Sequence, residues 1–496
     1  MTFSNGVAAA LKKVTIRTEA FIGGEFTPAR SGETLPCITP IDGSEIAQLS
    51  ACDAADVDAA VQAARASFES GVWSKMPPRK RRQVMLAFAD KIEAHSDELA
   101  LLETLDMGKP IRNTRNADIP LVVQTIRYYA EAIDKIYDEL GPSPHDAVSM
   151  IVREPLGVVG AVTPWNFPLL MASWKFAPAL ATGNSVIMKP AEQASLTMLR
   201  AAELAQEAGI PAGVLNVVPG DGAKAGKALA LHMDVDALVF TGSTAVGKLI
   251  MGYGAQSNLK RVALECGGKS PQIIMEDCPD FDAAASAAAW AVFYDQGQVC
   301  TAGTRLLVQN SIKDEFLAKV AAVAKGLKPG DPLDENTRFG ALVDETQMNT
   351  VLGYIEKGGA EGAKLVCGGE RALSESGGFY VAPTIFDGVD NQMTIAQEEI
   401  FGPVISAIGF DDFDDAMRIA NDTIYGLAAG IWTSNLNYAH KASRTIRAGN
   451  VWVNCWDGSD ITTPFGGFKQ SGFGRDRSLH ALDKYTELKT IWMKLS

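Results

Sequence analysis

Nothing in this 496-residue sequence is apolar for long enough to cross a membrane. The longest unbroken run lies near Ala287 to Tyr294, far short of the roughly 20 residues a spanning helix needs. There is no CxxC pair. The seven cysteines, at positions 37, 52, 266, 278, 300, 367 and 455, are odd in number and widely spaced. That excludes a disulfide framework or a cysteine-rich zinc site and points to reduced thiols in a cytoplasmic compartment. Histidine is scarce: the five are scattered without HxxxH spacing, so no metal is expected, and His440 and His480 read as surface or core residues. Positive charge is in deficit. With 45 Lys and Arg against 59 Asp and Glu, the formal charge is −14, which argues against nucleic acid as the main partner. The N-terminus is not expected to be a secretory signal, because Lys12-Lys13 follows the first apolar run instead of preceding it; residues 1–20 read as a loosely held arm. A true GxGxxG is missing too, since Gly220-Asp221-Gly222, with Gly226 beyond, carries one residue too many.

What is present is a globular composition, 47% hydrophobic and 21% charged, on a chain long enough for two or three domains. Phe21 to Phe26 reads as a hairpin. Apolar residues at three- and four-residue spacing predict helices over 55–70, 78–107 and 117–140. The basic run Arg79-Lys80-Arg81-Arg82 falls on the second of these and reads as a solvated face. Beyond Gly141-Pro142-Ser143-Pro144, residues 146–153 alternate like an isolated strand. From Val158 short apolar runs alternate with helices: strands at 158–162, 185–188, 214–218, 237–240 and 261–264. This is the rhythm of a parallel sheet with helices on its faces, whose ligands sit beyond the carboxyl ends of the strands. A second alternating block begins near Gly268, with strands at 270–275, 304–309 and 402–410 and an Ala-rich helix from Asp282 to Tyr294. No clean linker separates the two, so they are expected to pack with a cleft between them. The last segment, 486–495, alternates again and is free to pair with 146–153 or with another subunit.

Chemistry concentrates around Cys300, which follows the Ala-rich helix, and Glu265, which ends a strand. A thiolate attacks carbonyl carbon and a carboxylate draws a proton from water, so together they can build and then hydrolyse a covalent intermediate. A free cysteine is more often a small buried hydrophobe. Gly242-Ser243-Thr244 leaves a strand and opens a helix; it is either an ordinary cap or a pyrophosphate cradle. Lys189 and Glu192 follow another strand, where they are either surface charges or contacts to an adenosine ribose. A glutamate there repels a 2′-phosphate and favours NAD over NADP. Asn166, within Trp165-Asn166-Phe167-Pro168, can hold a turn or donate to an oxyanion.

The order of these motifs is more specific than any one of them. Pro164-Trp165-Asn166-Phe167-Pro168, Lys189-Pro190-Ala191-Glu192, Phe240-Thr241-Gly242-Ser243-Thr244, Glu265-Cys266-Gly267-Gly268-Lys269, Gly297-Gln298-Val299-Cys300, Glu399-Ile400-Phe401-Gly402-Pro403 and Pro464-Phe465-Gly466-Gly467 resemble the NAD(P)-dependent aldehyde dehydrogenase superfamily from about residue 20 to the end. The resemblance implies an α/β fold with three parts. These are a Rossmann-type cofactor domain (1–140 and 157–265), an α/β catalytic domain (266–470) and a small β oligomerisation arm (141–156 and 484–496). It also implies a homodimer or homotetramer.

Carried over residue by residue, Cys300 is the nucleophile, Glu265 the base and Asn166 the oxyanion donor. Lys189, Glu192, Gly242, Ser243, Gly247, Glu399 and Phe401, together with Trp165, Gly220 and Gly267, contact the cofactor. Phe167, Met171, Trp174, Val299, Thr301 and Phe465 line the substrate tunnel with Trp456 and Asp457 at its mouth. Cys266 departs from the usual Leu and is expected to be packing. Val152-Arg153-Glu154-Pro155, Ser478-Leu479-His480-Ala481-Leu482 and Tyr485 to Trp492 look like the bacterial γ-glutamyl-γ-aminobutyraldehyde dehydrogenases of putrescine breakdown. They imply an amino aldehyde or γ-glutamylamino aldehyde substrate, with a broad aliphatic or betaine-type aldehyde as the alternative. A non-catalytic binding protein of the same fold is the distant one.

Overall fold

The computed structural model describes residues 3–495. Five parallel strands form the middle of the first sheet: Val158–Val162, Ser185–Lys189, Leu215–Val217, Ala237–Thr241 and Arg261–Glu265. In space they run third, second, first, fourth, fifth in order of appearance, with the sequence reversing direction between the first and the fourth. Val158–Val162 and Ser185–Lys189 are buried at every position, as strands covered by helices on both faces must be. The hairpin Ala20–Ile22 and Glu25–Thr27 closes one edge, turning through Gly23 and Gly24 at positive φ. The short strand Gly472–Phe473 closes the other, antiparallel to the end of Arg261–Glu265.

A second, seven-stranded sheet is built from Pro271–Ile274, Arg305–Gln309, Val404–Phe410, Thr384–Asp387, Ala428–Trp432 and Asn450–Val453, all parallel, with Lys364–Cys367 antiparallel at one edge. The Ala-rich helix, Phe281–Phe293, lies on it. Asp280 caps its start, accepting from the Ala283 amide at 2.9 Å, and its small Ala284, Ala285, Ala288 and Ala289 are buried. A third sheet pairs Thr486–Lys494 with Ala147–Pro155 along nine residues, with Glu139–Gly141 beyond. Leu140, Leu488, Trp492 and Met493 stand exposed on it.

Four details differ from the sequence reading. The helix expected over 78–107 is two, Pro78–Ala94 and Ser96–Met107; the His95 ring nitrogen Nδ1 lies 2.8 Å from the Lys91 carbonyl and the chain breaks there. The helix expected over 117–140 is ordinary only over Ile119–Ala132, because Glu139–Gly141 pairs into the third sheet instead. In the basic run Arg81 is buried, donating to the carbonyls of Ala181 and Trp73. The N-terminal arm carries a helix, Ser4–Leu11, whose Val7 and Ala10 dock against Ile41 and Leu105; residues 1 and 2 of the arm lie outside the described residues.

Candidate active site

The Ala-rich helix stops at Phe293, and the chain then takes three consecutive left-handed residues, Asp295 (φ 49°), Gln296 (φ 54°) and Gly297 (φ 75°). Two of them carry side chains, a conformation costing on the order of 1–3 kcal/mol each unless its surroundings enforce it. Here the surroundings do. Gln298 Oε1 accepts from the Val343 amide at 2.9 Å, and the Gln298 carbonyl accepts from Asn166 Nδ2 at 2.7 Å. Gly297 presses on the Gly402 carbonyl where no Cβ would fit. Beneath the turn lies Lys109, 0% exposed. Its ammonium donates to Asp118 at 2.5 Å and to the Asn166 carbonyl at 2.9 Å, stands 3.5 Å from Asp295, and lies 3.5 Å from the centre of the Phe167 ring. One cation therefore ties the Asn166 loop to the turn that delivers Cys300.

Glu265 ends its strand 5% exposed, and among the described residues neither carboxylate oxygen has a hydrogen-bond partner. Burial pushes its carboxyl well above the ordinary range. Asp476 adds to this; Lys175, Lys484 and Arg475 oppose it. The chain leaving Glu265 reaches Cys300 within a few residues: a Cβ on Gly268 would stand 2.5 Å from the Cys300 carbonyl. Glu399 joins the same turn, accepting from the Gly268 amide at 3.0 Å, and its carboxyl is pushed up to about 7 by burial. Cys300 itself is half-buried. Burial first, then the charges of Glu399, Glu265 and Asp457, raise its thiol above the ordinary range. Behind Glu265, buried Asp476 accepts from both Lys175 and Lys484, and its backbone pairs with Phe465 at 2.8 Å in both directions.

The carboxyl ends of the first sheet gather the other expected residues. Val162 is level with Lys189 and Phe240, and Thr241 with Glu265, so the loops after these strands emerge side by side. Lys189, buried, donates to Glu192 at 2.9 Å. Ser243 Oγ accepts from Val246 N at 3.3 Å and caps the helix Thr244–Gln256. Gly242 is pressed on the Phe240 ring, and a Cβ on Gly247 would stand 2.8 Å from the sulfur of Cys266. That contact accounts for Cys266 as a packing residue, 4% exposed, its thiol pushed up to about 12 by burial. Gly220 (φ 151°) packs on the Cys52 backbone, and Gly267 leaves room for the Glu399 carboxylate. Trp165 and Phe401 meet edge to face, ring centres 5.2 Å apart.

A cavity of about 370 Å³ opens on Cys300. Phe167, Met171, Trp174 and Phe465 wall it, Val299 and Thr301 flank the thiol, and Asp457 stands at its exposed rim. Trp456 does not reach it. Left-handed turns at Asn454 (φ 55°) and Asp457 (φ 56°) fold the indole back onto Trp452, ring centres 4.9 Å apart, over Gly430. It is a packing residue, contrary to the expectation. Lys109, Lys175 and Asp476 went unnoticed in the sequence. Lys175 did leave a trace there, a lone charge inside the apolar helix Pro168–Ala181, where an ionic side chain needs a partner.

Against known proteins, the aldehyde dehydrogenase family model matches residues 26–491. The chain is 50% identical to the NADP/NAD-dependent aldehyde dehydrogenase PuuC of Escherichia coli over 97% of each protein. A solved indole-3-acetaldehyde dehydrogenase complexed with NAD+ superposes with a TM-score of 0.97 at 58% identity, covering both chains fully. A γ-glutamyl-γ-aminobutyraldehyde dehydrogenase of Burkholderia cenocepacia does so with a TM-score of 0.97 at 56% identity and the same full coverage. With the thiol, the carboxylate and the strand ends arranged as described and this match running almost from end to end, the chain belongs to the aldehyde dehydrogenase family.

Proposed function

We propose that the protein oxidises an ω-amino or γ-glutamylamino aldehyde to its acid with NAD, using Cys300 as nucleophile, Glu265 as base and Asn166 as oxyanion donor. The observation that carries this reading is the buried Glu265 carboxylate, unpartnered among the described residues, on the segment that touches Cys300. A carboxylate so placed is costly to bury unless it has work to do.

The strand ends suit NAD. The Thr241 hydroxyl is buried there without a partner among the described residues, and glycine at 222 leaves open the space 4.0 Å from the Lys189 ammonium. Lys189 and Glu192 would hold the adenosine ribose, Ser243 and the helix start behind it the pyrophosphate, and Glu399, Phe401 and Trp165 the nicotinamide end. Bound NAD supplies the hydride acceptor. The remaining steps belong to the chain. The Cys300 sulfur adds to the aldehyde carbon. One amide hydrogen of Asn166 is spent on Gln298, which aims the other at the developing oxyanion. Once the acyl group is a thioester on sulfur, Glu265 takes a proton from water and the acid leaves.

The amino-aldehyde reading is supported by the γ-glutamyl-γ-aminobutyraldehyde dehydrogenase among its relatives. A broader aliphatic reading is supported by the apolar walls Phe167, Met171, Trp174 and Phe465. On the same reading 1–140 and 157–265 form the cofactor domain and 266–470 the catalytic domain. The exposed apolar residues of the third sheet, Leu140, Leu488 and Trp492, cover a subunit interface of a cytoplasmic homodimer or homotetramer. The test is NADH formation across propanal, 3-aminopropanal, 4-aminobutanal, its γ-glutamyl derivative, betaine aldehyde and benzaldehyde, with Cys300→Ala as the blank. Amino aldehydes are expected to lead in kcat/KM; a lead by benzaldehyde or propanal would remove them. Glu265→Gln is expected to keep a burst of NADH and lose steady-state turnover, and a full steady rate would dismiss Glu265 as the base.

A further inference from the structure

The rim of the cavity holds two opposite charges that the mechanism does not use. Arg477 lines the cavity and is only 8% exposed. Its backbone and that of Ser478 are left-handed, φ 62° and 50°, a costly pair of conformations of the kind found where a side chain has to be aimed. The guanidinium lies over the Trp174 ring, 5.6 Å from its centre, donates to Ser459 Oγ at 3.1 Å and donates to the Asp460 carbonyl. Those are neutral acceptors, and they use two of its five N–H groups among the described residues. No carboxylate of the described residues lies within the 4.0 Å of an ion pair. A buried cation ordinarily has such a partner.

Across the rim, Asp457 also lines the cavity, likewise in a left-handed conformation, and its carboxylate has no hydrogen-bond partner among the described residues. Asp460 is different: its carboxylate is occupied by the amide and hydroxyl of Thr462. Arg477 and Asp457 therefore line one cavity with opposite charges, each favouring the other's charged form without an ion pair between them.

We propose that Arg477 binds a carboxylate, and Asp457 the neighbouring ammonium, on the end of the substrate away from its aldehyde. The site then selects aldehydes that carry a free α-amino-acid head over equally long aldehydes that lack one. This rests on the amino-aldehyde reading above and narrows it. An apolar wall of Phe167, Met171 and Trp174 between the thiol and the rim suits the uncharged spacer such a molecule needs.

The experiment compares 4-(γ-glutamylamino)butanal with 4-(acetylamino)butanal, which share the amide and the reacting end and differ in the zwitterion. Wild-type enzyme is expected to favour the first by about 30-fold in kcat/KM, the scale of one charge-assisted, partly desolvated contact. Arg477→Leu is expected to erase the ratio, and Arg477→Lys to retain part of it. Equal rates for the two aldehydes in wild type, or an equal fall for both in Arg477→Leu, would overturn the assignment and leave Arg477 as a staple for the 459–460 loop. Because leucine could release that loop, wild-type enzyme is also assayed with L-glutamine and butyramide as inhibitors of propanal oxidation. Inhibition by glutamine alone supports the anchor, and equal inhibition refutes it. Should both amide aldehydes and 4-aminobutanal go unoxidised while benzaldehyde or propanal is turned over, the amino-aldehyde reading itself fails, an outcome distinct from equal rates.

Discussion

Two buried ionic clusters flank the cavity, and they are built in opposite proportions. Lys109 is one cation among carboxylates: Asp118, Asp295 and, close by, Glu103. Asp476 is one carboxylate between two cations, Lys175 and Lys484. In the first cluster burial wins. Glu103 is pushed up to about 8, and Asp118 and Asp295 are raised as well, so burial outweighs the pull of the single cation. Its hydrogen bonds run to backbone, to the Asn166 carbonyl from Lys109 and from the Leu169 amide to Glu103 at 2.9 Å. In the second cluster attraction wins: Asp476 is held below its ordinary range, and its ions act on Glu265 through space. The first cluster shapes the site and the second sets its potential.

Lys109→Met should give the largest effect. It strands buried carboxylates without their cation, at about 3–5 kcal/mol by the usual cost of breaking a buried pair, and loosens both Asn166 and the 295–297 turn. Denaturant unfolding and kcat should fall together. The stability gap should widen with rising pH, because carboxyls with raised values resist ionising in the fold and a lost cation makes that worse. A variant of unchanged stability would end the description of this cluster as a scaffold.

Lys484→Met should act differently, leaving binding nearly intact and moving the acidic limb of the pH–rate profile for thioester hydrolysis to higher pH. Lys484 is one of the charges that lower the Glu265 carboxyl, so its loss raises a value that burial has already raised, and Glu265, the proposed base, is ionised over less of the acidic range. An unmoved or lowered limb would contradict the division of labour between the clusters.

Glu399→Gln should give the smallest effect and reports on the thiol between them. After burial, Glu399 is the largest cause of the raised Cys300 value. Removing its charge lowers that value, and alkylation of Cys300 near neutral pH should quicken a few-fold by peptide mapping, with exposed Cys455 as the internal standard.

The sequence made the strands readable because a run buried on both faces is written in consecutive residues; Val158–Val162 begins and ends where the apolar run does. Cys300, Glu265 and Asn166 were legible because each sits in a short motif beside a strand or helix end. The clusters were not, because they join residues far apart in the chain: Lys175 and Asp476 are 301 positions apart. Trp456 was misjudged because nothing local announces that two left-handed residues will turn the loop back on itself. The break at His95 was missed for a related reason: apolar spacing continues through it while the backbone does not.

The helix that opens at Ser243 rests, at Gly247, directly on the sulfur of Cys266. An organomercurial that reached this atom would have to prise the helix from its strand, disturbing the glutamate next door while Cys300 stayed bare. Inactivation by mercury is therefore no proof of which sulfur performs the chemistry, and a peptide map has to say where the metal went.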